Sequence, residues 1–229
     1  MARLSRLVVP GEAHLVRQAV VEGAQPFAQD VDCRAFLESL RRAATEKGVA
    51  VHGYVLLPDS WLMVCVPSTA DALGKLMQAM SRWFVTDFNR RHARTGSLWN
   101  GRFTAGPLAA EHVLDAVVYV ELAAVRRGLA YLPAEHPWSS AGHHVLGGRD
   151  PLLAGHQALW ALGNTPFERE AAHRQVLERG LSGAVSHAIE SQLLKGWGWA
   201  SAQTLAEWAE RGRRTTPLQR GRPKSVQSA

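Results

Sequence analysis

Cysteine is scarce in this chain, and it has no long apolar run. Of its 229 residues, only Cys33 and Cys65 are cysteines. Two thiols so far apart in sequence exclude a disulfide scaffold and a zinc knuckle, so we expect small buried residues in a reducing compartment. No apolar run approaches the roughly 18 residues that span a bilayer, and residues 1–9 lack the apolar core and cleavage site of a signal peptide. We therefore expect a cytoplasmic protein without a membrane partner.

Acidic residues are outnumbered by basic ones. The chain has 26 lysines and arginines against 20 aspartates and glutamates, which gives a formal net charge of +6. This excess suits a polyanionic partner such as nucleic acid, although many soluble proteins are modestly basic. Hydrophobic residues make up 46% of the chain, enough to build a packed core in one large domain or in one domain with an extension.

The first third of the chain has the periodicities of alternating strands and helices. A strand over residues 13–20 precedes a helix that begins near Asp30 or Asp32 and ends at Gly48. Residues 49–66 are apolar and rich in β-branched side chains, with a break at Pro-Asp-Ser in the middle. Two strands joined by so short a connection predict an antiparallel hairpin.

A second helix, a short strand and a third helix follow the hairpin. The second helix has an apolar stripe at helical spacing, formed by Leu73, Met77, Met80, Phe84 and Phe88. The strand is expected over residues 103–108 and the third helix over about 111–127, before Gly128. The order β-α-β-β-α-β-α predicts an α+β fold, a ferredoxin-like antiparallel sheet with helices on one face and one additional helix.

The composition changes near Pro151. We therefore expect a main domain over residues 1–148 and a small α-helical extension over residues 149–210, in which short helical stretches end at glycines. Residues 211–229 are rich in arginine, glycine, proline and serine, which predicts a basic disordered tail.

Several segments resemble, in order, the motifs of one family of DNA-processing enzymes. They are residues 54–63 (YVLLPDSWLM), 88–92 (FNRRH), 96–103 (GSLWNGRF), 119–129 (YVELAAVRRGL), 137–140 (PWSS) and 220–224 (RGRPK). Their order and spacing are similar to those of the REP-associated tyrosine transposases, which belong to the HUH single-tyrosine transposases of bacterial insertion sequences. The resemblance implies a ferredoxin-like fold, a divalent metal that polarises the scissile phosphate, and a tyrosine that forms a 5′-phosphotyrosine link. Family members often act as dimers, so a homodimer is a further expectation.

The chain departs from the family where the metal should bind. Ser60 and Leu62 occupy the positions at which the family has the two histidines of its His-hydrophobe-His motif, and Ala123 replaces an asparagine or glutamine that joins the metal site. Leucine and alanine have no ligand atom, and serine is a poor ligand without help. We therefore expect a degenerate HUH motif and no bound cofactor, with Mg²⁺ or Mn²⁺ only if other residues rebuild the site.

Tyr119 lies where the family has its nucleophile. A phenol with a pKa near 10 is a weak nucleophile at neutral pH when no metal assists it, so a structural role at the helix surface is the alternative. Candidates to rebuild a metal site are Asp59, His52, His112, Asp115 and Glu121. The adjacent pair His143-His144 is expected in a solvated loop, because neighbouring side chains rarely point at one ion.

The second helix and the loop after it contain the residues that we expect to contact DNA. These are Arg82, Arg90, Arg91, Arg94, Arg102 and Trp99, and in the tail Arg220, Arg222 and Lys224. Guanidinium groups bind phosphates, and indoles stack on unpaired bases. The alternative is that the aromatic residues form core and the arginines a solvated face. Arg126 and Arg127 end the third helix, where complementing the helix dipole is an equally good explanation.

Three functions compete at this point. The first is a DNA-binding protein that recognises hairpin or single-stranded DNA and has lost cleavage. The second is an active transposase that uses Tyr119 with rearranged metal ligands. The third is a regulatory or protein-interaction module that has kept only the fold.

Overall fold

The computed structural model describes residues 5–211 and 213–217. Within those residues, one sheet has four strands: β1 (Ala13–Ala19), β2 (Val49–Leu57), β3 (Ser60–Pro67) and β4 (Thr104–Leu108). Their spatial order is β2-β3-β1-β4, and every neighbouring pair is antiparallel. The ferredoxin-like α+β sheet expected from the sequence is therefore confirmed.

Helices account for most of the remaining described residues. They are α1 (Asp30–Lys47), α2 (Ala72–Arg91), α3 (Val113–Glu121), α4 (Ala123–Arg126), α5 (Ala141–Leu146), α6 (Gln157–Trp160), α7 (Pro166–Arg179), α8 (Gly183–Ser191) and α9 (Ala202–Glu210). Short 3₁₀ turns form at Ala110–His112, Pro133–Glu135 and Leu193–Lys195. In this part of the chain no helix is both long and apolar enough to cross a membrane.

Helices α1 and α2 cover one face of the sheet. The apolar stripe predicted for α2 is confirmed, because all five of its residues are buried. Phe36 of α1 packs edge-on against Trp61 of β3 and Phe84 of α2, with ring centroids 5.2 Å apart in both pairs. Gly48 ends α1 in the left-handed conformation at φ 64°, which glycine adopts without steric cost.

The opposite face of the sheet is covered by α3 and by elements of the C-terminal extension, so the helices are not confined to one face as the sequence analysis expected. Val55 and Leu62 of the hairpin pack there with Val117 of α3, and Ile189 and Leu193 of the extension are fully buried in the same cluster. Because both faces are covered, β2 and β3 are nearly continuous apolar runs in the sequence and do not alternate between apolar and polar residues.

The third helix is less regular than expected. The structure divides the predicted residues 111–127 into a 3₁₀ turn, α3 and α4, with Leu122 between the two helices at ψ −5°. Leu122 N still donates to Val118 O and Arg126 N to Leu122 O, both at 2.9 Å. Leu122 is thus the C-cap of α3 and the N-cap of α4, so the second helix begins directly where the first one ends.

The extension is anchored to the edge strand of the sheet. Trp199 N donates to Pro107 O at 2.9 Å, and Ala109 N donates to Trp199 O at 3.0 Å. Part of the segment expected to be a disordered tail is packed: Thr215 is buried, and its hydroxyl donates to Leu205 O at 3.0 Å. Residues 220–224 lie outside the described residues, and the boundaries expected at 148 and 210 remain predictions.

Candidate functional site

The register of the hairpin places the two family histidine positions on the α3 side of the sheet. In β3, Ser60 pairs with Ala19 of β1 and Leu62 pairs with Arg17. Residues two apart on a strand share a face, and Leu62 belongs to the core cluster under α3. Arg17, which sequence reasoning missed, therefore lies on the same face as Ser60 and Leu62.

The four family positions meet in one open groove. Tyr119 and Ala123 are four apart on the third helix and share a side, and both line a cavity of about 420 Å³ with Ser60 and Leu62. We call this cavity the tyrosine groove. Its charged lining residues are Arg17, Arg126, Arg127 and Glu190.

The tyrosine groove does not have the ligands that the family metal requires. Leu62 and Ala123 offer no donor atom, and the Ser60 hydroxyl donates to Asp59 Oδ1 at 2.9 Å. The other carboxylate oxygen of Asp59 accepts from Arg127 Nη1 at 2.8 Å. The residues at the three metal positions therefore do not fit a hard divalent cation.

Arg126 and Glu190 hold the side chain of Tyr119. The Arg126 guanidinium lies 3.9 Å from the centre of the Tyr119 ring, and the phenol donates to Glu190 Oε1 at 3.3 Å. Burial raises the pKa of Tyr119 above its usual value; the charge of Arg126 opposes this shift, and Glu190 adds to it. A phenol with a raised pKa holds its proton more firmly at neutral pH, so it is a poorer nucleophile.

Four of the five residues considered for a rebuilt metal site lie elsewhere. The Nδ1 atom of His52 is 2.9 Å from Ala154 O, and the His112 ring stacks on Trp199 with centroids 3.8 Å apart. Asp115 and Glu121 are also not among the residues that line the tyrosine groove. Only Asp59 lies beside it, through its contacts with Ser60 and Arg127.

Glu121 instead belongs to a second, buried cluster. Its carboxylate is fully buried and lies 2.5 Å from His144 Nδ1 and 2.6 Å from His173 Nε2. Ser140 Oγ donates to the same carboxylate at 2.6 Å. Burial alone would raise the pKa of Glu121, but the charges and hydrogen bonds of the two histidines outweigh burial and hold the pKa well below its usual value. One ligand atom from each of Glu121, His144 and His173 lies within 4.8 Å of the other two, so these three residues could hold a metal ion.

The prediction for the histidine pair was wrong for His144. His144 lies on α5, and its side chain is only 11% exposed. His143 turns the other way, towards Gly148 O. The two side chains separate because adjacent residues on a helix point in directions about 100° apart. Nothing in the sequence links His144 to Glu121 and His173, which are 23 and 29 residues away from it.

The arginines expected to contact DNA have different environments. Arg82, Arg90 and Arg102 are exposed. Arg91 forms ion pairs with Asp32 and Asp87. A DNA contact by Arg91 would have to compete with these partners.

Arg94 and Trp99 also have partners within the protein. Arg94 donates to Asn89 Oδ1 at 3.0 Å. The Trp99 ring lies 6.1 Å from the rings of Phe36 and Phe84, and its Nε1 atom is buried. The environment of Trp99 is therefore that of a residue packed against the core, and not that of an exposed ring on which a base stacks.

Comparison with solved structures identifies the fold. The chain is similar to a REP-associated tyrosine transposase bound to a REP hairpin, with a TM-score of 0.53 and 14% sequence identity over 68% of this chain and 93% of that chain. The chain has the fold of a REP-associated tyrosine transposase. A candidate transposase from Deinococcus radiodurans R1 is also similar, with a TM-score of 0.37 and 18% identity over 56% of this chain and 98% of that one. No protein-family model and no curated protein matches the chain. The fold that the resemblance of the sequence motifs implied is thus confirmed.

Proposed function

We propose that the protein binds hairpin or single-stranded DNA in the tyrosine groove and does not cleave it by the family's metal-dependent reaction. One observation supports this most strongly: three arginines, Arg17, Arg126 and Arg127, line the groove at which the nucleophile position and the degenerate metal positions meet. The groove offers positive charge to a phosphate backbone and lacks the ligands that a cation needs at the family's metal positions.

The three arginines differ in how readily they can bind a phosphate. Arg17 has no ion pair among the residues that the structure describes, so its guanidinium can bind a phosphate without breaking one. Arg127 shares an exposed ion pair with Asp59, and exposed pairs of this kind contribute only about 0–1 kcal/mol to stability. Arg126 is held against Tyr119 by stacking and by a 2.7 Å hydrogen bond from Nη2 to Tyr119 O. Replacing Arg17 and Arg127 should therefore weaken DNA binding without disturbing the contacts of Arg126 with Tyr119.

A hairpin is the proposed target because the similar transposase is bound to a REP hairpin. Arg102, two residues before β4, is exposed and is a further predicted phosphate contact. Arg82, Arg90, Arg91 and Arg94 on and after α2 remain predicted secondary contacts, as do the tail residues 220–224. A homodimer and a cytoplasmic location also remain predictions.

The binding test uses one sequence as hairpin, single strand and duplex, each with a fluorescent label. Anisotropy titrations at several salt concentrations should show tight binding that weakens steeply as salt rises. The double variant Arg17→Gln/Arg127→Gln should raise Kd roughly tenfold or more and reduce the slope of log K against log salt by about 0.7–0.9 for each phosphate that an arginine no longer neutralises. Arg41→Gln is the matched control, because Arg41 is on α1 across the sheet from the groove. Weak binding to all three probes that does not depend on salt would favour the fold-only interaction module.

The cleavage test separates the binder from the active transposase. End-labelled hairpin DNA is incubated with the protein and Mg²⁺ or Mn²⁺, and denaturing gels are run for a protein-linked product. We expect none from the natural protein or from Tyr119→Phe. A covalent product that forms with the natural chain and disappears in Tyr119→Phe would overturn the non-cutting part of the proposal.

A further inference from the structure

We propose that Glu121, His144 and His173 bind one divalent transition-metal ion, with Zn²⁺ as the best match, and that this ion fastens the C-terminal extension to the sheet domain. The three residues are on three helices, α3, α5 and α7. This site is separate from the tyrosine groove and does not rest on the proposed DNA-binding function.

The donor set is the first argument. Two imidazole nitrogens and one carboxylate form a ligand set known from zinc proteins, in which a water or substrate takes the fourth position. Imidazole also binds Cu²⁺, Ni²⁺ and Co²⁺, whereas Mg²⁺ and Ca²⁺ prefer oxygen ligands throughout. The chemistry therefore points to a borderline transition metal and away from the hard cations that the transposase family uses.

The geometry is close to what such an ion requires. With metal–ligand bonds of about 2.0–2.1 Å, the ligand atoms of a tetrahedral site lie roughly 3.3 Å apart. The Glu121 oxygens now lie 2.5 and 2.6 Å from the two histidine nitrogens. The three ligand atoms lie within 4.8 Å of one another, so an ion that replaces the shared protons needs side-chain movements of up to about 1.5 Å to bring them to a spacing of roughly 3.3 Å.

The surroundings provide a second shell and an entrance. Ser140 Oγ donates to Glu121 at 2.6 Å, and its oxygen also accepts from Tyr54 N at 3.1 Å, which fixes the carboxylate orientation. A cavity of about 250 Å³ is lined by His144 and His173. It gives an ion a path to the cluster and leaves room for a water molecule as the fourth ligand.

A hydrogen-bonded triad without metal is the competing explanation. His173 is only 2% exposed, and its Nδ1 atom has no hydrogen-bond partner among the described residues. That atom is not the one that faces Glu121, so it lacks a partner with or without an ion, and the choice rests on the ligand set and its geometry. A bound cation would add its charge to the hydrogen bonds that now hold the fully buried carboxylate.

The proposed consequence is structural. Glu121 and His144 belong to the part of the chain before residue 148, whereas His173 belongs to the helical extension. An ion that binds only the folded arrangement stabilises it by mass action. Metal removal should therefore loosen the extension before it unfolds the sheet.

The test starts with the full chain stripped of metal by a chelator and dialysed. Titration with Co²⁺ should produce the intense visible bands of a tetrahedral site and saturate at one equivalent, and Zn²⁺ should then displace the Co²⁺ and remove the bands. Zn²⁺ should raise the Tm by several degrees relative to the chelator-treated protein.

The deciding variant is His144→Ala, because His144 is partly exposed and its replacement leaves the deeply buried His173 in place. We expect this variant to fold, as judged by circular dichroism, and to lose both the Co²⁺ bands and the Tm shift. His143→Ala is the matched control and should keep both. Absence of tetrahedral Co²⁺ bands in the natural chain, or bands that survive in His144→Ala, would overturn the site. DNA binding measured on the same samples shows whether loss of the metal site also changes the tyrosine groove.

Discussion

Two residues of α3, Tyr119 and Glu121, show how one helix supplies two unrelated sites. They are two positions apart, and side chains at that spacing point to nearly opposite sides of a helix. Tyr119 lines the tyrosine groove, whereas Glu121 faces His144 and His173. Glu121, although it is two residues from the family's nucleophile position, therefore does not replace the missing metal ligands of the tyrosine groove. The sequence alone could not decide this, because it does not show which way each side chain points.

A single buried histidine should make stability depend on pH. His14 is fully buried; its Nε2 atom accepts from Val9 N at 3.1 Å, and its Nδ1 atom lies 2.8 Å from Glu12 O. Burial lowers the pKa of His14 from 6.5 to about 4, and the hydrogen bond to Glu12 opposes only part of this shift. The folded state therefore holds neutral His14, while the unfolded chain takes up a proton as the pH falls below about 6.5. Stability from this residue is present above pH 6.5 and is lost progressively as the pH falls towards 4.

Urea unfolding at pH 7 and pH 5 measures this effect. Linkage predicts that His14 makes the protein about 2 kcal/mol less stable at pH 5 than at pH 7. His14→Gln should be less stable than the natural chain at pH 7, but its loss of stability between the two pH values should be smaller by that amount. His187→Gln, at an exposed position on α8, controls for the substitution itself. Equal pH dependence in His14→Gln and the natural chain would show that the buried imidazole is not the titrating group.

At the scale of elements, the contact between β4 and the extension depends on a glycine. A β-carbon at Gly106 would lie 2.6 Å from Trp197 O and 2.8 Å from Leu193 Cα. These are backbone atoms, so they cannot rotate out of the way as the end of a side chain could. Gly106→Ala should therefore push the Leu193–Lys195 turn away from β4 and reduce the free energy of unfolding by about 1–3 kcal/mol, as overpacking does elsewhere.

Two measurements check this contact. Chemical denaturation reports the free energy of unfolding, and limited proteolysis should cut Gly106→Ala faster within residues 181–211. Gly74→Ala on α2 is the matched control: an added β-carbon there meets nothing within 4 Å, and alanine in a helix should stabilise the chain by about 0.5–1 kcal/mol. If Gly106→Ala were as stable and as resistant to protease as the natural chain, the close packing of the extension on β4 would be refuted.

The elements that sequence analysis predicted well are those specified by neighbouring residues. The hairpin follows from two apolar runs around a Pro-Asp turn, and the α2 stripe from spacings of three and four residues. Ser60, Leu62, Tyr119 and Ala123 were also expected to meet, because the motifs fix their place in the fold. The Glu121 cluster could not be predicted, since its contacts cross 23 and 52 residues of chain and no local pattern encodes them. Arg17 was missed for the same reason. Only its pairing with Leu62 of β3 shows that this single charged residue lies in the tyrosine groove.

At the scale of the whole molecule, the sheet is the middle layer between two sets of helices. The layer on the α3 side is shared between the two halves of the chain, because Leu159, Ile189 and Leu193 are buried in the same cluster as Leu15 and Val117. The extension contributes residues to this core, so it is part of the same folded unit. The segments on either side of the boundary predicted at residue 148 therefore share one hydrophobic core.

This arrangement predicts how residues 1–148 behave when they are produced alone. Each buried Leu or Ile contributes about 1.5–3 kcal/mol, so removing the three that the extension supplies should cost about 4.5–9 kcal/mol, which is comparable with the whole stability of many domains. The fragment should unfold at a much lower urea concentration than the full chain and bind the dye ANS through its uncovered α3-side face. Adding Zn²⁺ should not restore it, because His173 is missing. A fragment that unfolds cooperatively at the same urea concentration as the full chain would show that the first 148 residues form an independent core, and that the extension only rests on its surface.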